Sequence, residues 1–60
     1  MEYMLPKDPV MLLSYTNLKL RDYYGSLEKM CEDMEVSREM IEERLALINY
    51  HYDEEKNQFV

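Results

Sequence analysis

Arg38, Glu39, Glu42 and Glu43 gather one guanidinium and three carboxylates at helical spacing, with Ala46 one turn further on. An arginine fork can bind phosphate or the paired acceptors of a guanine edge. Grouped carboxylates can hold a cation, or exchange protons where a cleft drives their affinities apart. The neighbours needed for catalysis are not apparent in the sequence. There is no histidine–carboxylate–nucleophile set, no paired acids in a recognisable cleft and no glycine-rich phosphate loop, Gly25 being the only glycine. His51 is the only histidine, which excludes a multi-histidine zinc site. The stretch "DEEKN" lacks the alternating oxygen ligands of a calcium loop. Cys31 lies between Met30 and Glu32 without an electropositive setting, so it reads as a small buried residue rather than a nucleophile. We therefore expect no enzymatic activity, no cofactor, no metal and no small-molecule ligand.

Composition narrows the partners. The chain has 60 residues, 47% hydrophobic and 33% charged, too apolar for a disordered tail and too interrupted by charge for a membrane span. A domain of this size buries only about 60% of the surface its unfolded chain exposes, so a partner or a second copy would add stability. The net charge of −6 is uneven. In residues 1–25, Lys7, Lys19 and Arg21 cancel Glu2, Asp8 and Asp22, whereas residues 26–60 hold four bases against ten acids. An acid at the second residue, no signal-like apolar run and a single cysteine make the cytoplasm the expected compartment.

The elements that must position these groups are signalled by caps and periodicity. Asp8-Pro9 starts a helix over residues 9–24, with Gly25 as its left-handed stop. Its inward stripe is Leu13, Thr16, Leu20 and Tyr23 or Tyr24, and Leu12, Tyr15 and Leu18 widen it, so cover on more than one side is expected. Ser26 caps a second helix over 27–34, with Leu27, Met30, Cys31 and Met34 on one face. Ser37 caps a third over 38–49, stapled by Val36 on Ile41 and buried through Ile41, Leu45 and Ile48. Residues 50–60 change to alternating period and read as a β-hairpin with a loop over Asp53 to Lys56, opposing Tyr52 to Asn57 and Tyr50 to Phe59; His51 points away from the aromatic face. Residues 1–7 form an arm in which "EYML" could add an edge strand. All 60 residues form a single domain, mainly α with a small C-terminal β-hairpin.

The order helix, helix, turn, helix, hairpin resembles a minimal winged helix, and Leu27 to Ile48 resembles a helix-turn-helix, with Met30, Met34, Val36 and Ile41 at its packing positions and Cys31 where the helices cross. The sequence departs from that motif at Glu35, where glycine is common in the turn, and at Arg44, where an apolar residue is usual. Across the whole chain, "MLPKDPVMLLSY", "LKLRDYYGSL" and "YDEEKNQFV" resemble a domain-of-unknown-function family of short bacterial proteins. That resemblance implies a bacterial single-domain protein and transfers no site residue.

The outward face of the third helix, Arg38, Glu39, Glu42, Glu43 and Ala46, is thus the candidate interaction surface. A DNA-binding module draws most of its affinity from Lys and Arg on phosphates. Here only Arg38 could read a base, and the supposed wing "DEEK" is mainly acidic. The expected function is a protein–protein interaction module with a basic partner or a second copy. The alternative is a DNA-binding transcriptional regulator of winged-helix type.

Overall fold

The computed structural model describes residues 5–60. In chain order these form α1 (Pro9–Asp22), α2 (Leu27–Met34), α3 (Arg38–Ala46), β1 (Tyr52–Asp53) and β2 (Gln58–Phe59), a mainly helical domain closed by an antiparallel two-stranded hairpin. The expected edge strand in "EYML" falls on residues outside those described, except for Leu5, which is in no strand and packs half-buried against the core.

Each helix begins on the cap its sequence provides. The side chains of Asp8, Ser26 and Ser37 accept from the amides of Met11, Lys29 and Met40 at 3.0, 3.1 and 3.2 Å, satisfying donors that have no partner within the first turn. Two helix ends close by the same device without glycine. Glu35 takes the left-handed conformation at φ 55°. The amide of Val36 then reaches the carbonyl of Cys31 at 3.1 Å, and that of Glu35 reaches Glu32 at 3.3 Å. Asn49 does likewise at φ 63°, with Tyr50 donating to Leu45 and Asn49 to Ala46, each at 3.0 Å. Regular α-helix therefore stops at Ala46 and not at Asn49, with the intervening residues in a tighter turn.

α1 ends differently from the sequence expectation. It stops at Asp22, two residues short of Tyr24, and Gly25 is not left-handed. The carbonyls at this end are taken instead by a residue from the far end of the chain: Asn57 Nδ2 donates to Leu20 at 3.0 Å and to Tyr24 at 2.9 Å. A polar side chain arriving from the hairpin removes the need for a glycine stop.

One core lies between the helices and β2: Leu12, Leu20, Leu27, Met30, Cys31, Met34, Ile41, Leu45 and Phe59. Leu5, Leu13, Tyr15, Tyr24, Val36, Met40, Ile48 and Tyr52 pack around it. Thr16 is fully buried, and its hydroxyl has no hydrogen-bond partner among the described residues. Of the two tyrosines at the end of α1, Tyr24 turns inward and Tyr23 is 69% exposed. The expected cover for a second side of α1 is not supplied by the described residues: Val10, Met11 and Leu18 face solvent.

The hairpin forms in a register displaced from the expected one. Tyr52 pairs with Phe59 and Asp53 with Gln58, so the four-residue loop is 54–57 rather than 53–56. The reason lies in loop chemistry. The Asp53 carboxylate accepts from the amides of Glu55 and Lys56 at 2.9 and 3.2 Å, which makes Asp53 the start of the turn, and Asn57 at φ 54° closes it. Tyr52 and Phe59 still share a face, rings 5.5 Å apart and tilted by 52°, while Tyr50 is left at the edge. His51 and Val60 extend the pairing by exchanging two backbone hydrogen bonds of 3.0 and 2.9 Å.

Candidate functional site

The buried positions Ile41 and Leu45 fix how α3 is rotated, and they turn Glu39, Glu43 and Ala46 fully outward. Leu47, just past the helix end, joins this ridge at 76% exposure. Arg38 and Glu42 are at the flank and are only half-exposed. Arg38 Nε donates to Glu42 Oε1, one helical turn on. The guanidinium lies 5.5 Å from the centre of the Tyr52 ring, a cation–π distance. The bond to Glu42 raises the Arg38 pKa beyond its ordinary value, and the charge of Glu54 adds to this. Arg38, Glu42, His51, Tyr52 and Glu54 line a groove of about 280 Å³ between α3 and the hairpin.

The five residues named from the sequence are therefore not one surface. Glu39, Glu43 and Ala46 form an outward ridge, whereas Arg38 and Glu42 are paired with each other on its hairpin side. Leu47 was missed. It lies off the Ile41–Leu45–Ile48 stripe, and that periodicity alone marks it as outward. Arg44 turns the other way and donates from Nη1 to the carbonyl of Lys7 at 3.3 Å.

A family model for a domain of unknown function, DUF4250, matches residues 6–59. The chain belongs to this family. No curated protein and no solved structure matches it. The DUF4250 match takes in all three helices and both strands, so the whole α3 ridge lies inside the domain.

What positions the ridge within the DUF4250 domain is a polar hub under the hairpin. The Tyr52 hydroxyl accepts from the amide of Leu27 at 3.1 Å and donates to Asn57 Oδ1 at 2.6 Å. Asn57 in turn holds the carbonyls at the end of α1. Asn17 on α1 donates through Nδ2 to the carbonyl of Phe59 at 3.2 Å and accepts its amide on Oδ1 at 2.8 Å. These bonds dock the hairpin on α1 and α2, which sets the Tyr52 ring beneath Arg38.

Among the described residues no cluster of three or more His, Cys, Asp or Glu side chains is placed to hold a metal ion. Cys31 is buried, and burial pushes its thiol above the ordinary value, so it stays protonated and unreactive at neutral pH. His51 is exposed on the hairpin. No helix among the described residues is long and apolar enough to cross a membrane.

Proposed function

We propose that this chain is a non-enzymatic protein-interaction module whose α3 ridge docks a basic protein surface. The observation that carries the reading is the engagement of Arg38. The one base on the outward side of α3 is already held by Glu42 and Tyr52, which leaves Glu39 and Glu43 as the free charges beside Ala46 and Leu47. An acidic ridge ending on an exposed leucine suits an amphipathic partner segment that brings Lys or Arg around one apolar anchor.

The DNA-binding alternative keeps the order of elements in its favour, since α2, the turn at 35–37 and α3 follow the helix-turn-helix arrangement. Its affinity would have to come from cations meeting phosphate. The reading face instead presents carboxylates, and releasing Arg38 for a guanine would break its pair with Glu42. A protected, reduced Cys31 fits a cytoplasmic setting.

The test is a pair of NMR titrations at physiological salt. A Lys/Arg-rich amphipathic helical peptide should shift the amides of Glu39, Glu43, Ala46 and Leu47, and a Glu39→Lys/Glu43→Lys variant should lose the response. A mixed-sequence DNA duplex pool should leave the spectrum unchanged. Tight binding to a defined duplex, abolished by Arg38→Ala, would overturn the proposal in favour of a DNA-binding regulator.

A further inference from the structure

α1 is apolar on two opposite sides. Leu12, Thr16 and Leu20 form its buried stripe. At 100° per residue the opposite stripe consists of Val10, Met11, Ser14 and Leu18, closed at its C-terminal end by Arg21 and Asp22. There Val10 is 59% exposed, Met11 62% and Leu18 44%. A helix that is hydrophobic around its circumference is normally covered around its circumference. Alongside this stripe runs a groove of about 600 Å³, lined by Leu13, Ser14, Leu18, Arg21, Tyr50 and Gln58.

From this geometry we infer that α1 is a homodimerisation surface, on which two copies pair through antiparallel α1 helices crossing at Ser14. Charge selects a second copy as the occupant. Residues 26–60 carry all of the excess acid, so two chains meeting through α2, α3 or the hairpin loop would set acid against acid. The sum over residues 1–25 is zero, and the only charges on the outward stripe of α1, Arg21 and Asp22, are of opposite sign and paired with each other.

Antiparallel pairing also makes the stripe complementary to itself. With the two-fold axis beside Ser14, Leu18 inserts between the partner's Val10 and Met11, and the reciprocal contact follows from symmetry. Arg21, now bonded to the exposed Asp22, comes within reach of the partner's Asp8, whose carboxylate caps the start of α1. The helix dipoles run in opposite directions, so each positive end lies near a negative one. Small, exposed Ser14 at the crossing lets the axes approach to about 8 Å. The α1 helix is 14 residues, about 21 Å long. Together with the Tyr50 groove it gives an interface at the small end of the specific range, under about 1,200 Å² in total, consistent with micromolar association.

Sedimentation equilibrium of the full chain from about 1 to about 500 µM tests this, because micromolar dimers dissociate within that window. Wild type should pass from monomer to dimer. Leu18→Glu and Ser14→Glu should each weaken dimerisation by at least about tenfold while leaving the dilute thermal melt unchanged, since both side chains are outside the core. Glu39→Lys/Glu43→Lys should dimerise as wild type or better, which separates this interface from the α3 ridge. Ser14→Cys should form an intermolecular disulfide between the two substituted positions under mild oxidation, buried Cys31 taking no part. A wild type that stays monomeric to the highest concentration would overturn the inference, leaving the stripe to another partner or to none. So would a dimer that survives both glutamates. Absence of the Ser14→Cys crosslink in a dimer that Leu18→Glu disrupts would overturn the antiparallel crossing.

Discussion

The carboxamide of Asn17 meets the backbone of Phe59 as a neighbouring strand would, accepting its amide at 2.8 Å and donating to its carbonyl at 3.2 Å. A side chain in the middle of α1 thus stands in for the next rung of the sheet and blunts the edge of β2. The same contact delivers the Phe59 ring, 2% exposed, into the core beside Leu12 and Leu20.

Removing this pairing should cost more than an ordinary surface hydrogen bond. Asn17→Ala leaves two half-buried backbone groups without their partner and is expected to destabilise the fold by about 2 kcal/mol. Asn17→Asp should be comparably harmful at neutral pH, because a carboxylate can accept from the Phe59 amide but repels its carbonyl. Urea unfolding gives the magnitude, and amide exchange at Phe59 reports the site.

Glu35 adopts the left-handed conformation that disfavours any residue with a Cβ. Glu35→Gly should therefore raise stability by about 1 kcal/mol, since the gain at φ 55° exceeds the entropy cost of glycine in the unfolded chain. Asn49→Gly should change little, as asparagine tolerates this region far better. Melting both variants beside wild type at one concentration decides the comparison.

Thr16 buries a hydroxyl without a partner among the described residues, at the centre of an otherwise apolar contact. Thr16→Val keeps the shape and removes the unpaired group, for an expected gain of about 1 kcal/mol. Ile41→Ala or Leu45→Ala, both at fully buried positions, should lose about 2–5 kcal/mol, enough to unfold most of a domain this small. A melt unchanged by Ile41→Ala would contradict the packing described.

Cys31 links stability to alkaline pH. Burial raises its thiol above the unfolded value, so the folded state keeps a proton that the unfolded chain releases. The contribution is complete below about pH 8.5 and declines as pH rises through the folded value. Urea midpoints should fall over that alkaline range more steeply for wild type than for Cys31→Ala. A thiol reagent at neutral pH should label the protein only at the rate at which it unfolds.

Much of this fold was legible because its signals are local. Asp8, Ser26 and Ser37 cap where their types and positions suggest, and Leu27, Met30, Cys31 and Met34 bury as their spacing requires. The misreadings came from partners that hydrophobic periodicity does not show. Gly25 looked like the stop for α1, but the carbonyls there are held by Asn57, 37 and 33 positions away from Leu20 and Tyr24. The hairpin register slipped because the carboxylate of Asp53 and the left-handed Asn57 belong to the turn, a preference that the aromatic alternation alone does not reveal. At the candidate site, the pairing of Arg38 with Glu42 follows from helical spacing, but the Tyr52 ring beneath Arg38 is placed by tertiary docking.

The Tyr52 hydroxyl that accepts from the amide of Leu27 also bears on the order of events in folding. α2 is only eight residues long, too short to persist alone in water, and part of its first turn is completed by a group 25 positions later. The hairpin is equally dependent, with two residues in each strand and its outer rung provided by α1. Neither piece is a seed for the other, so both are expected to form as they come onto α1 together. The fast refolding phase is therefore expected to show no helical signal ahead of the tertiary one, and circular dichroism and tyrosine fluorescence followed together in stopped flow check this.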